Sequence, residues 1–218
     1  MEETIKLLAD KYADSLKLAV AGRVAEMEDD DVSHYLIYKV LGVAKEEGRL
    51  IDVYQSKGRF LYKYAGSFLE EASKLCFKHA FPASGSLRVL NTRSHRPKTF
   101  EIDCLVGREA LEIKWKDATT DGDHIAKEHT RIQVIAGAGY KPVRVMFYYP
   151  NRTQAVRIQE TLETLYRGVG GEYHRGEDAW AYERWPHSSR HPDKWIALLL
   201  KAKISPGFRS NHDPQIPS

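Results

Sequence analysis

Apolar residues recur at helical spacing through the first part of the chain and change to strand-like runs after about residue 86. Residues 2–28 and 60–79 each place apolar side chains on one face of a helix. In the second segment that face consists of Ala65, Phe68, Leu69, Ala72, Leu75 and Cys76. Asp31 is placed to cap a further helix that would run through Ala44. The pattern therefore predicts that residues 1–80 are mainly helical.

Short apolar and β-branched runs then predict strands. They lie at about 86–92, 99–106, 109–116 and 142–149. Between the last two, Asp123 is a suitable N-cap for a helix that Gly137 would end, and a further helix would run from Asn151 or Thr153 to about Arg167. We expect one domain over residues 1–203, with a core at 86–167, a C-terminal elaboration at 168–203 and a loose tail at 204–218.

The segment between Phe100 and Asp117 predicts a β-hairpin. Gly107 and Arg108 would form its turn, because glycine in the first central position suits a type II′ turn. If Val106 pairs with Glu109, the register continues down both strands. Opposed residues on one face of a sheet have Cβ atoms roughly 5 Å apart.

This register places acidic and basic residues together inside an apolar strand. Asp103 would lie directly opposite Glu112, and Lys114 would follow on the same face. We expect Glu101 and Lys116 to extend this charged face. Buried charges cost several kcal/mol each unless they are paired or bound to a metal. The arrangement is also compatible with a solvated strand face that carries an ordinary ion pair.

Metal-dependent phosphodiester hydrolysis would explain the charged face. Mg²⁺ prefers hard oxygen ligands and binds through one or two carboxylates while it keeps several waters. Asp103 and Glu112 would be these ligands, and the carbonyl of Ile113 would be a third. Lys114 would orient or help to deprotonate the attacking water and stabilise the extra negative charge of the transition state.

The same residues carry a resemblance to a known family. Asp103 with Glu112-Ile113-Lys114 resembles the core motif of the PD-(D/E)xK nuclease superfamily, although Ile102 stands where the motif usually has proline. Longer runs at 111–132 and 144–154 resemble the ApaLI-like restriction enzymes. The resemblance implies a mixed α/β fold, with an αββαβ core and a central mixed sheet flanked by helices, following an N-terminal helical portion.

The resemblance also implies an activity and partners. It implies a Mg²⁺-dependent type II restriction endonuclease that cuts both strands of double-stranded DNA at a short palindromic sequence, acts as a homodimer and belongs to a restriction–modification system. The alternatives are a repair or nicking nuclease of the same superfamily, a catalytically inactive DNA-binding module, and an α/β interaction protein whose charged face is merely paired.

The superfamily often adds a glutamate from a helix beside the active strands. Glu71 lies at the edge of the apolar face of residues 60–79, about 100° from its centre, whereas Glu70 points nearly opposite that face. We therefore expect Glu71 to be the metal-proximal carboxylate. A solvated residue on the flank of the helix is the alternative.

Several polar residues beside the hairpin are candidates for DNA contacts. They are Thr119, Thr120, Asp121, His124, Lys127 and Arg131 after the second strand, with Arg93 and Arg96 before the first. Arginine bound to guanine is among the strongest base contacts. The polar outer face of an amphipathic helix is the alternative for the residues after Asp121.

Composition limits the class of protein without identifying it. The 218 residues have a net charge of +3, which permits nucleic-acid binding but does not argue for it. Cys76 and Cys104 fall inside predicted elements, so we expect reduced core thiols. We therefore expect an intracellular protein with no membrane partner, and the resemblance to restriction enzymes implies the cytoplasm of a prokaryote. No glycine-rich loop ending in Lys-Ser/Thr is present, so no nucleotide cofactor is implied.

Overall fold

The structure, a computed structural model, describes residues 2–116 and 122–182. Within these ranges the chain forms helices α1 (Glu2–Glu28), α2 (Tyr35–Val40), α3 (Lys45–Ala80), α4 (Asp123–Gly137), α5 (Thr153–Gly168) and α6 (Glu177–Trp180). The strands are β1 (Gly85–Leu90), β2 (Thr99–Val106), β3 (Glu109–Lys116), β4 (Lys141–Tyr148) and β5 (Glu172–Arg175). Most of the predicted elaboration at 168–203 and the tail at 204–218 lie outside the described residues, and the division into domains stays a prediction.

The five strands form one mixed sheet in the order β1-β2-β3-β4-β5. The first three strands pair antiparallel, whereas β4 and β5 pair parallel to their neighbours. The central strand is β3, which carries Glu112, Ile113 and Lys114 of the candidate site. This sheet with its helices confirms the expected mixed α/β fold, and α3, β2, β3, α4 and β4 follow the predicted αββαβ order.

Helices cover both faces of the sheet. Successive residues of β4 belong to different core clusters. Val145 packs with Phe77 of α3 and residues of α1, whereas Met146 packs with Ile132 of α4 and Leu162 of α5. Successive side chains of a strand point to opposite faces. Thus α1 and α3 cover one face, and α4 and α5 cover the other. Both cysteines are buried free thiols, as expected.

Two stretches differ from the predicted elements. Asp31 does not cap a helix through Ala44; its carboxylate accepts the Ser33 N–H at 2.8 Å and the Ser33 hydroxyl at 2.6 Å in a local turn. The short helix α2 follows, and α3 starts at Lys45 and is longer than predicted. The strand β5 and the helix α6 were not predicted, because a strand of four residues carries too little periodic signal.

The predicted hairpin turn is confirmed. Gly107 has a φ of +60°, and no non-glycine residue in the described ranges has a positive φ. The positive angle is therefore confined to the first central position of the turn, which distinguishes type II′ from type I′. Val106 pairs with Glu109, which is the predicted register.

No helix of the described ranges is both long enough and apolar enough to cross a membrane.

A close approach of two chain segments generates a stability prediction. A Cβ atom on Gly171 would lie 2.4 Å from the backbone oxygen of Pro142 and 2.9 Å from that of Tyr166. Gly171→Ala should therefore lower the free energy of unfolding by about 1–3 kcal/mol, measured by urea denaturation. Gly168→Ala is the matched control, because its Cβ would meet no atom within 4 Å. Equal stability of the two variants would contradict the close approach.

Candidate active site

An irregularity in β2 sets the positions of the acidic side chains. The register with β1 changes between the pairs Gly85–Leu105 and Leu87–Ile102. Ile102 consequently packs with residues on the α4 side of the sheet, whereas Cys104 packs on the α3 side. Residues two apart in a regular strand would share a face. β-Bulges of this kind are common beside active sites, where they redirect a side chain.

The irregularity corrects the expectation that Glu101 extends the charged face. The Glu101 carboxylate binds Arg88 at 3.3 Å, and its charge acts on Lys74 of α3. Glu112 and Lys114 instead point to the α4 side. A hydrophobic and polar pattern alone does not reveal a one-residue irregularity, so the face of Glu101 was predicted wrongly.

The β2–β3 ladder ends beside Asp103. Its pairs run from Val106–Glu109 to Cys104–Leu111, and the N–H of Ile113 then donates to Oδ2 of Asp103 at 2.8 Å. We expected a continuous ladder with Asp103 opposite Glu112. The ladder instead ends at Cys104–Leu111, one pair before these two residues. The two carboxylates are still neighbours. Burial and the charge of Glu112 raise the pKa of Asp103 to about 7.

Glu112 is buried and bound by two cations. The Nζ of Lys114 lies 2.5 Å from its Oε1, and the guanidinium of Arg131 donates to its Oε2. Burial alone would raise the pKa of Glu112, but the charges of Arg131, Lys114 and Arg144 outweigh burial and lower it. Glu112 is therefore held as a carboxylate, while Asp103 resists ionisation.

Arg131 points into the protein and not toward solvent. Besides Glu112, its guanidinium donates to the Glu101 carbonyl oxygen at 2.9 Å and to Glu128 at 3.3 Å. Only 9% of the residue is exposed. The expectation that Arg131 contacts DNA is corrected, because the face of α4 that carries it packs against the sheet. Its guanidinium instead binds Glu112, and its charge lowers the pKa of that carboxyl group.

Arg144 is part of the same network, and sequence reasoning missed it. The residue is fully buried in β4, and Nη1 lies 3.5 Å from Oε2 of Glu128. Its charge also lowers the pKa of Glu112. The signal that could have revealed it is an arginine at the centre of the apolar run 142–149, where an unpaired charge would be costly.

On α3, the carboxylate near Asp103 is Glu70. Glu71 turns the other way, since its Oε2 accepts the hydroxyl of Tyr12 of α1 at 2.7 Å. Glu70 binds Lys74 at 2.6 Å, and its charge contributes to the raised pKa of Asp103. The expectation for Glu71 is therefore corrected. The direction of the sheet could not be inferred from the centre of the apolar face, because α3 packs against both α1 and the sheet.

The oxygen donors at this site fit a hard divalent cation. Asp103 and Glu112 bring two carboxylates together in a buried place. Burial and the charge of Glu112 raise the pKa of Asp103. A divalent cation between the two carboxylates would offset their repulsion. The main chain of Ile113 lies beside them. No cluster of three His, Cys, Asp or Glu side chains suited to a metal occurs in residues 2–116 and 122–182. Such a cation would therefore depend on this pair, the main chain and water.

The structure places the remaining candidate DNA contacts around the hairpin. Arg96 and Lys127 are exposed and line one shallow cavity of about 190 Å³. Arg93 is exposed on a neighbouring cavity, and His124 is half-buried. Thr119, Thr120 and Asp121 lie outside the described residues. Arg96 and Lys127 are thus brought together from separate segments of the chain.

The carboxylate pair should lower stability at high pH when divalent cations are removed. The pKa of Asp103 is about 7 in the folded protein, against 3.8 normally. The folded state therefore retains a proton that the unfolded state has lost, and stability falls as pH rises from about 4 to 7. Asp103→Asn should be more stable than wild type by a few kcal/mol at about pH 8 in EDTA, with a gain that shrinks toward about pH 4.

Urea denaturation across this pH range checks the prediction. Glu101→Gln is the matched control, since this carboxylate is on the same strand but exposed, and it should change stability by less than about 0.5 kcal/mol. A pH-independent difference between Asp103→Asn and wild type would show that the pKa of Asp103 is not raised in the folded protein.

Comparison with known proteins identifies the family. A family profile described as ApaLI-like restriction endonuclease matches residues 1–186, a range that includes every described element and the whole candidate site. Comparisons with curated proteins and with solved structures gave no match. The match covers most of the 218 residues. The chain therefore belongs to the ApaLI-like restriction endonuclease family.

Proposed function

We propose that this restriction endonuclease is a type II enzyme that hydrolyses both strands of duplex DNA at a short palindromic sequence and requires Mg²⁺. It would act in a restriction–modification system in the prokaryotic cytoplasm. The observation that carries the proposal is the pair Asp103 and Glu112 at the end of the β2–β3 ladder, with Lys114 bound to Glu112 at 2.5 Å.

Each residue of the site has a distinct role in this reaction. Asp103, Glu112 and the carbonyl of Ile113 would hold Mg²⁺, which when bound polarises the phosphate and acidifies a water. Arg131 and Arg144 keep Glu112 ionised from the protein interior. These two buried arginines would act on Glu112 and not on the DNA.

Lys114 has the position and charge to assist the attacking water. Burial alone would lower its pKa, but the neighbouring carboxylates Glu112 and Asp103 raise it, so the ammonium remains protonated. Its side chain is one-third exposed, in contrast to that of Glu112. Lys114 would therefore orient the water and stabilise the charge of the phosphorane-like transition state rather than start as a free base.

Two substitutions test these assignments. Asp103→Ala and Lys114→Ala should each reduce cleavage of duplex DNA by a factor of about 100 or more, as expected for loss of a metal ligand or of a group that stabilises the transition state. Specific DNA binding, measured by fluorescence anisotropy, should remain largely intact. Lys116→Ala is the control, since Lys116 lies over the ring of Tyr62 and not on Glu112, and should still cleave. Cleavage by either alanine variant at the wild-type rate would refute the site assignment.

We further propose that the enzyme is a homodimer that joins through its N-terminal helices. One active site cuts one strand, and a palindrome can be read by a two-fold symmetric pair. Large exposed apolar residues support this surface, because most of those in the described ranges precede residue 63. On and beside α2 they are Val32, Leu36, Ile37, Val40 and Leu41.

A charge introduced on α2 tests the interface. Val40 is 82% exposed, so Val40→Glu should leave the fold intact but shift the sedimentation coefficient from dimer to monomer. Cleavage of both strands in one binding event should weaken with it. Leu90→Glu, at a position 66% exposed on β1, is the control and should remain dimeric. A Val40→Glu protein that sediments as a dimer would place the interface elsewhere.

A further inference from the structure

Helix α3 continues well past the end of the catalytic strand. The ring of Tyr62 packs on Trp115 near the end of β3, with centroids 5.0 Å apart. The part of α3 from Lys45 to Leu61 therefore projects beyond the sheet by roughly 25 Å, at about 1.5 Å per residue. We call this projecting part of α3, with α2 beside it, the arm.

One stretch of α3 is basic, although the arm nearer Lys45 also carries Glu46, Glu47 and Asp52. Between Val53 and Leu69 the chain carries Lys57, Arg59 and Lys63 and no acidic residue. All three basic residues are exposed.

Two of these basic residues share one side of α3 with residues at the active site. At 100° per residue, Arg59 and Lys63 fall within about 60° of Glu70 and Lys74 around the helix axis. The charges of Glu70 and Lys74 interact with Asp103. The stripe formed by Arg59 and Lys63 therefore leads outward from the carboxylate pair, whereas Lys57 lies about 120° away from Lys63.

The end of β3 places a further lysine beside α3. The Nζ of Lys116 lies 5.9 Å from the centre of the Tyr62 ring, next to Lys63 in sequence. Lys116 follows Lys114 by two residues at the end of β3. A DNA strand that leaves the site along α3 from the side of Asp103 and Glu70 would pass these groups. The length of the arm corresponds to about seven base pairs at 3.4 Å each.

We propose that Arg59 and Lys63 bind backbone phosphates of the duplex that flanks the cleavage site. The inference rests on the proposed function, since it requires duplex DNA at Asp103 and Glu112. Phosphate contacts position DNA without reading its sequence. The stripe therefore contributes affinity and salt dependence, and sequence discrimination comes from other residues.

The salt dependence of DNA binding tests the proposal. Binding of the full chain to a fluorescein-labelled duplex of about 40 base pairs is measured in EDTA at several NaCl concentrations. Each lost phosphate contact should reduce the slope of log affinity against log salt by about 0.9, so Arg59→Ala/Lys63→Ala should lose about 1.8. The double variant should also still cleave DNA at low salt.

Lys57→Ala is the matched control for Lys63→Ala. Both lysines are exposed on α3, and each Nζ lies over a neighbouring tyrosine ring, at 5.5 Å for Lys57 and 5.8 Å for Lys63. Lys63→Ala alone should reduce the slope by about 0.9, and Lys57→Ala should leave it near the wild-type value. Thermal melting of each variant confirms that the fold is retained.

Three results would overturn the inference. An unchanged slope in the double variant would show that the stripe does not bind phosphates. An equal loss in Lys57→Ala would show a general effect of net charge. A double variant that is monomeric where the wild type is dimeric, with an unchanged slope, would identify a protein interface. Failure of the proposed function is distinguishable, because it would appear as absence of Mg²⁺-dependent cleavage by the wild type.

Discussion

The site depends on keeping Glu112 charged inside the sheet. A buried carboxylate costs several kcal/mol unless cations and hydrogen bonds compensate it. Lys114 and Arg131 bind its two oxygens, and Glu128 in turn binds Arg131 and Arg144. Helix α4 supplies both Arg131 and Glu128 to this network, and it also packs on the sheet through Ile132 and Ile135. The helix therefore stabilises β3 electrostatically as well as by packing.

The environment of Asp103 favours its protonated form, in contrast to that of Glu112. The end of the ladder and the irregularity in β2 bring it beside Glu112, where burial and the second carboxylate raise its pKa to about 7. The folded protein thus carries an unfavourable interaction that a divalent cation would remove. Natural proteins commonly give up stability in this way at functional sites.

The order of elements from α3 to α5 and the hairpin register could be predicted from the sequence because both follow from local rules. The glycine turn fixes how Val106 meets Glu109, and alternation along β3 follows from that pair. The inward orientation of Arg131, the choice between Glu70 and Glu71, and the face of Glu101 depend on how helices dock and on a one-residue irregularity. These features arise from tertiary packing, which spacing along the chain does not encode. The catalytic and DNA-binding roles of the residues remain predictions.

The central claim is that this site cleaves duplex DNA at a defined sequence with Mg²⁺. The most direct measurement is to incubate the purified protein with a sequenced phage genome in Mg²⁺ and in EDTA, and to sequence the ends of the products. The account predicts discrete fragments in Mg²⁺ alone, with one short palindromic sequence at all their ends. A smear or nicked DNA would indicate a repair-type or nicking nuclease, and intact DNA in Mg²⁺ would contradict catalysis at Asp103 and Glu112 altogether.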